Sequence, residues 1–365
     1  MIRKYMRDKG KDVVKVSVVA PVRVMDIGGW TDTWFAHHGQ VLCLSVLSRD
    51  ANNGRDYDYH GIVAEATVSL TSGPGVFKLH APDVGKELEC FNGKGNWDKT
   101  DLIEATLSNI RQLSGLDIEV IVRSPVVPKG SSVGSSATVA VALTALLDYF
   151  NRGEVDSNWV SRKCHEVETK EMGIECGVQD QAAAASPYGV NFIDVYHYPN
   201  YSVQNVVLTD SLKQEIEARI LTIIYGGCHS SSDIHKMVIA KLQEDGRLAL
   251  GLEQIRRIPE EARYCLLSED YAGLGRAMRA NTAAQYQLHP ELISPECQKL
   301  IDFSQANSTL GEKVNGAGGP QGGSLTVLCG DIPKETLAHK IVEQFPDVLV
   351  LEHKIADQGL KVRVE

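Results

Sequence analysis

The chain has 365 residues, 43% of them apolar and 23% charged, with a net charge of -10. Such a length suits two domains with ample cores, and the acidic balance argues against nucleic acid as the main partner. No window approaches about 18 uninterrupted apolar residues, and the start MIRKYMRDKGKDVVK is too charged for a signal peptide, so neither a membrane span nor secretion is expected.

Eight cysteines (Cys43, Cys90, Cys164, Cys176, Cys228, Cys265, Cys297, Cys329) are scattered with no C-x-x-C pair, several of them in apolar runs. Reduced core cysteines have that distribution, and zinc sites or disulfide scaffolds do not. A cytoplasmic enzyme is the expected class.

Residues 1 to 14 read as a frayed leader before a first strand, KVSVVAPVRV. That strand breaks at Gly28-Gly29, passes a polar turn and resumes from Val41. Arg23 and Asp32 flank the apolar strand end, where they fit either a surface ion pair or the wall of a substrate pocket. Residues 50 to 115 are turn-rich, with alternating runs such as IVAEATVSL that read as hairpin strands. DLIEATLSNIRQL has helical apolar spacing, and Trp97 before it fits a core position or a stack on a base.

The run LDIEVIVRSP puts Ile118, Val120 and Val122 on one face of a strand. A Gly/Ser-rich turn follows and feeds an apolar helix from Ser135, with no breaker until Asn151 and Gly153. Strand, glycine loop and helix N-terminus gather free N–H groups at the positive end of the helix dipole, which favours a bound phosphate. The same residues also suit a plain turn that lets the helix pack closely. This is not a Walker A loop, because Ser135 and not lysine follows Gly134.

A second helix is expected from Asn158, carrying His165, Glu168 and Glu171 at i, i+3 and i+6, as a solvated face or a functional one. Asp180 follows Glu168 by 12 residues across a glycine-containing turn. The stretch 198 to 212 reads as the joint between domains 1–205 and 206–365. LTIIYGGCHSSSDIHKMVIAKL gives a strand, a turn and a helix capped by the run 230–233. His229, Asp233 and His235 lack ligand-like spacing, so no metal is expected there. Residues 247 to 310 read as helices without a motif. KVNGAGGPQGGSLTVLCG packs glycines before an apolar strand, as close backbone approach or a hairpin turn requires. The tail, a helix and two strand-like runs, closes an α/β layer.

Several of these stretches resemble motifs of the GHMP kinases, the superfamily of galactokinase, homoserine kinase, mevalonate kinase and phosphomevalonate kinase. The loop resembles P-x-x-x-G-[LV]-G-S-S-A through Pro128, Val133, Gly134, Ser135, Ser136 and Ala137, with Ser132 where glycine is usual. The first strand end resembles A-P-G-R-V-N-L-I-G-E-H-T-D-Y through Arg23, Val24, Gly28, Thr31 and Asp32. Gly29 and Trp30 replace its Glu-His pair, a form that looks like the L-fucokinase and D-glycero-D-manno-heptose 7-phosphate kinase branch. Glu168, Gly173, Cys176, Gly177, Asp180 and Gln181 fit the galactokinase pattern E-x-x-x-x-G-x-x-C-G-x-x-D-Q. Lys313, Gly316, Ala317, Gly318, Gly319, Gly322 and Gly323 resemble the third motif, K-x-x-G-A-G-G-G-G-x-x-x-x-L, from which Pro320 departs.

The resemblance implies an α+β, two-domain GHMP kinase, with a ribosomal protein S5 domain 2-like N-terminal domain and a ferredoxin-like C-terminal domain. It implies transfer of the γ-phosphoryl of MgATP to a sugar hydroxyl, with the anomeric one favoured. Pro128, Gly130, Ser131, Ser132, Val133, Gly134, Ser135, Ser136 and Ala137 would bind ATP, and Ser136 and Glu168 would hold Mg²⁺. Asp180 would be the general base, with Arg23 keeping it ionised and offsetting transition-state charge. Gly29, Trp30, Thr31, Asp32, His37, Gly318 and Gly319 would shape the sugar site, with Ser231 and Ser232 as weaker candidates. The partners implied are ATP and a small sugar or sugar phosphate, with the chain a monomer or a homodimer.

Three alternatives stand beside this reading. A heptose 7-phosphate kinase needs a cationic pocket for the existing phosphate, and an isoprenoid-type alcohol kinase needs an apolar substrate site. The third is a non-catalytic ATP and sugar sensor, against which the complete set Arg23, Ser136, Glu168 and Asp180 argues.

Overall fold

A computed structural model describes residues 1–51, 58–91, 97–108, 115–227, 231–244 and 250–365. The expected frayed leader is instead helix α1 (Ile2–Lys9), because Ile2 and Met6 lie four apart and both are buried. The terminal ammonium donates to the Phe150 carbonyl at 3.2 Å and fastens the helix further. The first strand is in fact two, β1 (Val13–Ala20) and β2 (Val22–Ile27). Pro21, which has no N–H to give a ladder, sits at the break, and the two strands enter different sheets.

The chain continues through β3 (Gly39–Asp50), β4 (Ile62–Leu70), β5 (Val76–Ala81), β6 (Lys86–Phe91) and α2 (Leu102–Ser108). Trp97 packs against the main hydrophobic core. Next come β7 (Leu116–Arg123), α3 (Ser135–Arg152), α4 (Ser157–Glu166), α5 (Gln179–Ala185), β8 (Val190–His197) and β9 (Asn200–Asn205). The second half contains α6 (Asp210–Arg219), β10 (Ile220–Gly226), α7 (Ser231–Glu244), α8 (Leu250–Leu267), α9 (Tyr271–Leu288) and α10 (Pro295–Ala306). It ends with β11 (Thr309–Val314), β12 (Gly322–Cys329), α11 (Lys334–Gln344), β13 (Leu349–Ile355) and β14 (Lys361–Val364).

Two sheets result. The first runs β14-β1-β4-β7-β5-β6, antiparallel except between β5 and β7. The buried side of β7 alternates as its sequence predicts, with Ile118, Val120 and Val122 inward, and α3 lies across this sheet. The second sheet runs β11-β12-β10-β13-β3-β8-β9, with β2 beside β3. It is continuous across the joint expected at residue 205, because β13 pairs antiparallel with β3. Ile223, Leu300, Leu325, Leu337 and Val350 form a core of their own beneath its C-terminal strands.

The α+β class is therefore observed, with mainly antiparallel sheets and helices packed on their faces. Of the seven described cysteines five are buried, and Cys228 lies outside the described residues. Among the described residues no helix is long and apolar enough to cross a membrane.

Candidate active site

The glycine loop fixes the geometry of the site. Helix α3 starts at Ser135, as its sequence predicts, with Gly134 in the left-handed region (φ 74°) and no side chain capping it. Its first N–H groups are left for a ligand. Gly134 has a second reason to be glycine: a Cβ there would lie 3.1 Å from the Asp180 carboxyl carbon. Ser132, where glycine is usual, still takes φ 58°, so the loop keeps its left-handed bend. Its carbonyl accepts from Arg23 Nη1 at 3.0 Å, and the Val133 carbonyl accepts from the Arg23 N–H at 3.2 Å.

Arg23, on buried β2, stands at the head of an alternating series of charges. Its Nε donates to Asp180 Oδ1 at 2.7 Å, and its Nη1 lies 3.5 Å from Asp26 Oδ2. Asp26 Oδ1 in turn meets Lys313 Nζ at 3.2 Å, with both side chains fully buried. The Gly316 N–H and Gln179 Nε2 complete the Asp26 carboxylate, at 3.0 and 3.2 Å. Burial alone would raise the pKa of Asp26, but Arg23 and Lys313 outweigh it and hold the group below its ordinary value. Burial lowers Lys313, against the pull of Asp26. The guanidinium of Arg23 is raised because Asp180 and Asp26 together overcome burial. Gly316 brings the third motif onto the first two: a Cβ there would meet the Ser132 carbonyl oxygen at 2.8 Å and Arg23 Nη2 at 2.9 Å.

Glu168 sits in a wide π turn (Val167–Glu171) that follows α4 and is closed by the Met172 N–H on the Val167 carbonyl. Its carboxylate is buried, accepts from Gln181 Nε2 at 2.7 Å, and is pushed up to about 7 by burial. Ser136, exposed on the first turn of α3, lines the same cleft of about 470 Å³. One buried carboxylate with no ion pair among the described residues, and one hydroxyl on the same cleft, fit a hard Mg²⁺ that keeps phosphate oxygens and water as its other ligands. Among the described residues no cluster of three or more His, Cys, Asp or Glu forms an all-protein cage.

Gly130, Ser132, Gly134, Ser135, Ser136 and Ala137 line this cleft, with Arg23, Asp32, Glu168 and Asp180. Ser131 and Val133 are buried behind the loop, and Pro128 faces an adjoining cavity of about 580 Å³. That cavity is walled by apolar residues such as Leu102, Ile103, Val122 and Val126, and it shares Lys129, Ser135 and Ser136 with the cleft.

Asp32 is buried, accepts the Gln179 N–H at 2.9 Å, and is pushed up to about 6, chiefly by burial. Trp30 lines the cleft, stacks 4.7 Å from His235, and has an indole N–H without a partner among the described residues. Other residues expected at the sugar lie off the cleft wall. Thr31 spends its hydroxyl on the Gly28 carbonyl at 2.7 Å, and Gly29 packs on Asp26 and Gln179. His37 is exposed, with its carbonyl taken by the Tyr198 N–H. Gly318 and Gly319 pack against Leu292 and Ile234, while Gly316 and Ala317 reach the cleft in their place. Ser232 lines the cleft; His229 and the capping Ser230 lie outside the described residues, as does the side chain of Ser231.

The sequence reading passed over Asp26, Gln179 and Glu175. A carboxylate inside β2, whose other residues apart from Arg23 are apolar, was the available signal for Asp26.

A model of the GHMP kinases N terminal domain matches residues 101–187, the segment holding the loop, Glu168 and Asp180. The chain carries a GHMP kinase N-terminal domain. It is 26% identical over 339 residues to the bifunctional fucokinase/GDP-fucose pyrophosphorylase of Arabidopsis thaliana, covering 88% of this chain but only 30% of that protein. To the D-glycero-alpha-D-manno-heptose 7-phosphate kinase of Campylobacter jejuni it is 23% identical, over 71% of this chain and 79% of the other. Two solved structures share the GHMP kinase fold along almost their whole lengths. Lactococcus lactis galactokinase complexed with galactose superposes with a TM-score of 0.70 at 14% identity, covering 98% of each chain. A Bacteroides thetaiotaomicron D-glycero-D-manno-heptose 1-phosphate kinase gives 0.67 at 17% identity, covering 96% of this chain and 98% of the other.

Proposed function

We propose that this GHMP kinase chain is an ATP-dependent sugar kinase that transfers the γ-phosphoryl of MgATP to a sugar hydroxyl, the anomeric one first. The observation that carries this reading is the Arg23–Asp180 pair, 2.7 Å apart, on the same cleft as the uncapped start of α3. The N–H groups of that helix start receive the nucleotide phosphates, and the apolar cavity beside Ser135 and Ser136 takes the base. Mg²⁺, when bound by Glu168 and Ser136, screens the phosphate charge.

Asp180 accepts the proton of the attacking hydroxyl as its oxygen bonds to the γ-phosphorus and the bond to ADP breaks. Arg23 holds the Asp180 carboxylate in line. Asp32 and the free Trp30 N–H offer an acceptor and a donor to sugar hydroxyls. The boundary at residues 205 and 206 remains our proposed division between nucleotide-loop and hairpin-loop halves.

The relationship to a heptose 7-phosphate kinase supports a second reading, in which the product is a 1,7-bisphosphate. ADP release from MgATP, measured over free and 7-phosphorylated sugars, separates the two. Turnover on one sugar that vanishes in Asp180→Asn with nucleotide binding kept is the expected result. A sugar that binds but never stimulates ADP release would leave a sensor as the better account.

A further inference from the structure

One wall of the cleft is formed by the turn after β2, the turn 173–177 and the start of α7, and two carboxylates stand on it. Asp32 is one; Glu175 is the other, and both line the cleft. Glu175 does not swing freely. Its Oε2 accepts the indole N–H of Trp34 at 2.6 Å, and its own N–H donates to Ser232 Oγ at 3.4 Å. Trp34 is braced edge-on by Phe35, 5.7 Å away, yet stays 41% exposed. A fixed carboxylate beside an exposed aromatic face offers a sugar hydroxyl acceptors and its C–H face a platform.

The cations lining the cleft among the described residues stand elsewhere. Arg23 is engaged by Asp180 and Asp26, and Lys129 belongs to the phosphate loop.

We propose that the acceptor is a neutral sugar carrying neither phosphate nor carboxylate, and that Glu175, held by Trp34, is the residue that turns anionic sugars away. This rests on the sugar kinase reading above and narrows its substrate class. A second anion on the sugar, bound along this wall, would face Asp32 and Glu175, while Arg23 is already engaged by Asp180 and Asp26, and like charges brought together in a binding site are strongly disfavoured.

The test compares kcat/KM for neutral hexoses and heptoses with that for their terminal phosphate esters and uronic acids, using the full chain. Wild type is expected to favour the neutral member of each pair by about tenfold or more. Glu175→Lys should narrow that gap by at least about tenfold, mainly through KM for the anionic sugar, with Glu175→Gln intermediate. A wild-type preference for a phosphate ester or a uronate overturns the proposal, as does a gap unchanged in both variants. Calorimetric binding of the same pairs to Asp180→Asn keeps the two readings apart. Tighter neutral binding without any turnover in wild type sinks the kinase reading and leaves only the discrimination by Glu175 standing, whereas turnover confined to anionic sugars does the reverse. Binding of neither class overturns it.

Discussion

The inner end of the cleft and the wall carrying Asp32 treat charge in opposite ways. At the inner end charge meets opposite charge in series: half-buried Asp180 with Arg23, Arg23 with Asp26, and Asp26 with Lys313. On the other wall, six residues further along the same segment, Asp32 is as buried as Asp26 but has no ion pair among the described residues, and Trp30 keeps an unmatched N–H. The two aspartates are displaced in opposite directions for that reason, Asp26 below its ordinary value and Asp32 up to about 6. Matched charges make a rigid frame, and unmatched polar groups mark where a ligand supplies the missing partner.

The largest effect expected is on chemistry. Asp180→Asn removes the proton acceptor proposed above, and kcat should fall by about 10²–10⁴-fold while nucleotide titrations stay close to wild type. Retained turnover would move the base elsewhere.

Next comes the frame itself. Lys313→Met leaves Asp26 buried without its ammonium, at a cost of about 3–5 kcal/mol in urea unfolding. Adding Asp26→Leu should return much of that stability, because two apolar groups replace a desolvated pair, yet leave kcat low, since Arg23 then lacks the carboxylate that fixes it. Recovery of activity along with stability would show that the pair only holds the fold together.

A third prediction turns on proton binding at Asp32. The folded protein holds the Asp32 proton more tightly than the unfolded chain, whose ordinary value is 3.8. Wild-type stability should therefore decline relative to Asp32→Asn as pH rises from about 4 to about 6, by roughly 3 kcal/mol in all, and then level off. A constant difference across that window would mean that Asp32 ionises without penalty.

The smallest effect is a control on the other face of β11. Glu312, next to Lys313 in sequence, is buried against Arg279, Thr309 and Gln305, away from the cleft. Glu312→Gln should cost about 1–3 kcal/mol and leave kcat unchanged. A drop in kcat would tie this clamp to the site.

Local spacing carried most of what the sequence revealed. The helix start at Ser135 lies within a short stretch, so turn chemistry was enough to find it, whereas the Glu168–Asp180 interval stood out only through its resemblance to the galactokinase pattern. The Asp26–Lys313 pair spans 287 residues and Trp34–Glu175 spans 141, and contacts of that range leave no periodic trace in a single chain. Helix α1 was missed because its two buried positions, Ile2 and Met6, stand among charged neighbours that read as tail. The resemblance points to His37 at the sugar, but the turn leaves it exposed and commits its carbonyl to Tyr198. Thr31 looked equally suitable, yet a tight turn needed its hydroxyl first.

The pairing of β13 with β3, and of β14 with β1, has a consequence for dissection. A fragment ending at residue 205 would lose a neighbour from one strand in each sheet and bare two rows of unsatisfied backbone groups. Such raw edges recruit other chains, so the piece should come out as insoluble aggregate and not as a small domain. The intact chain should melt in one step, since neither half can let go without tearing open the other's ladder.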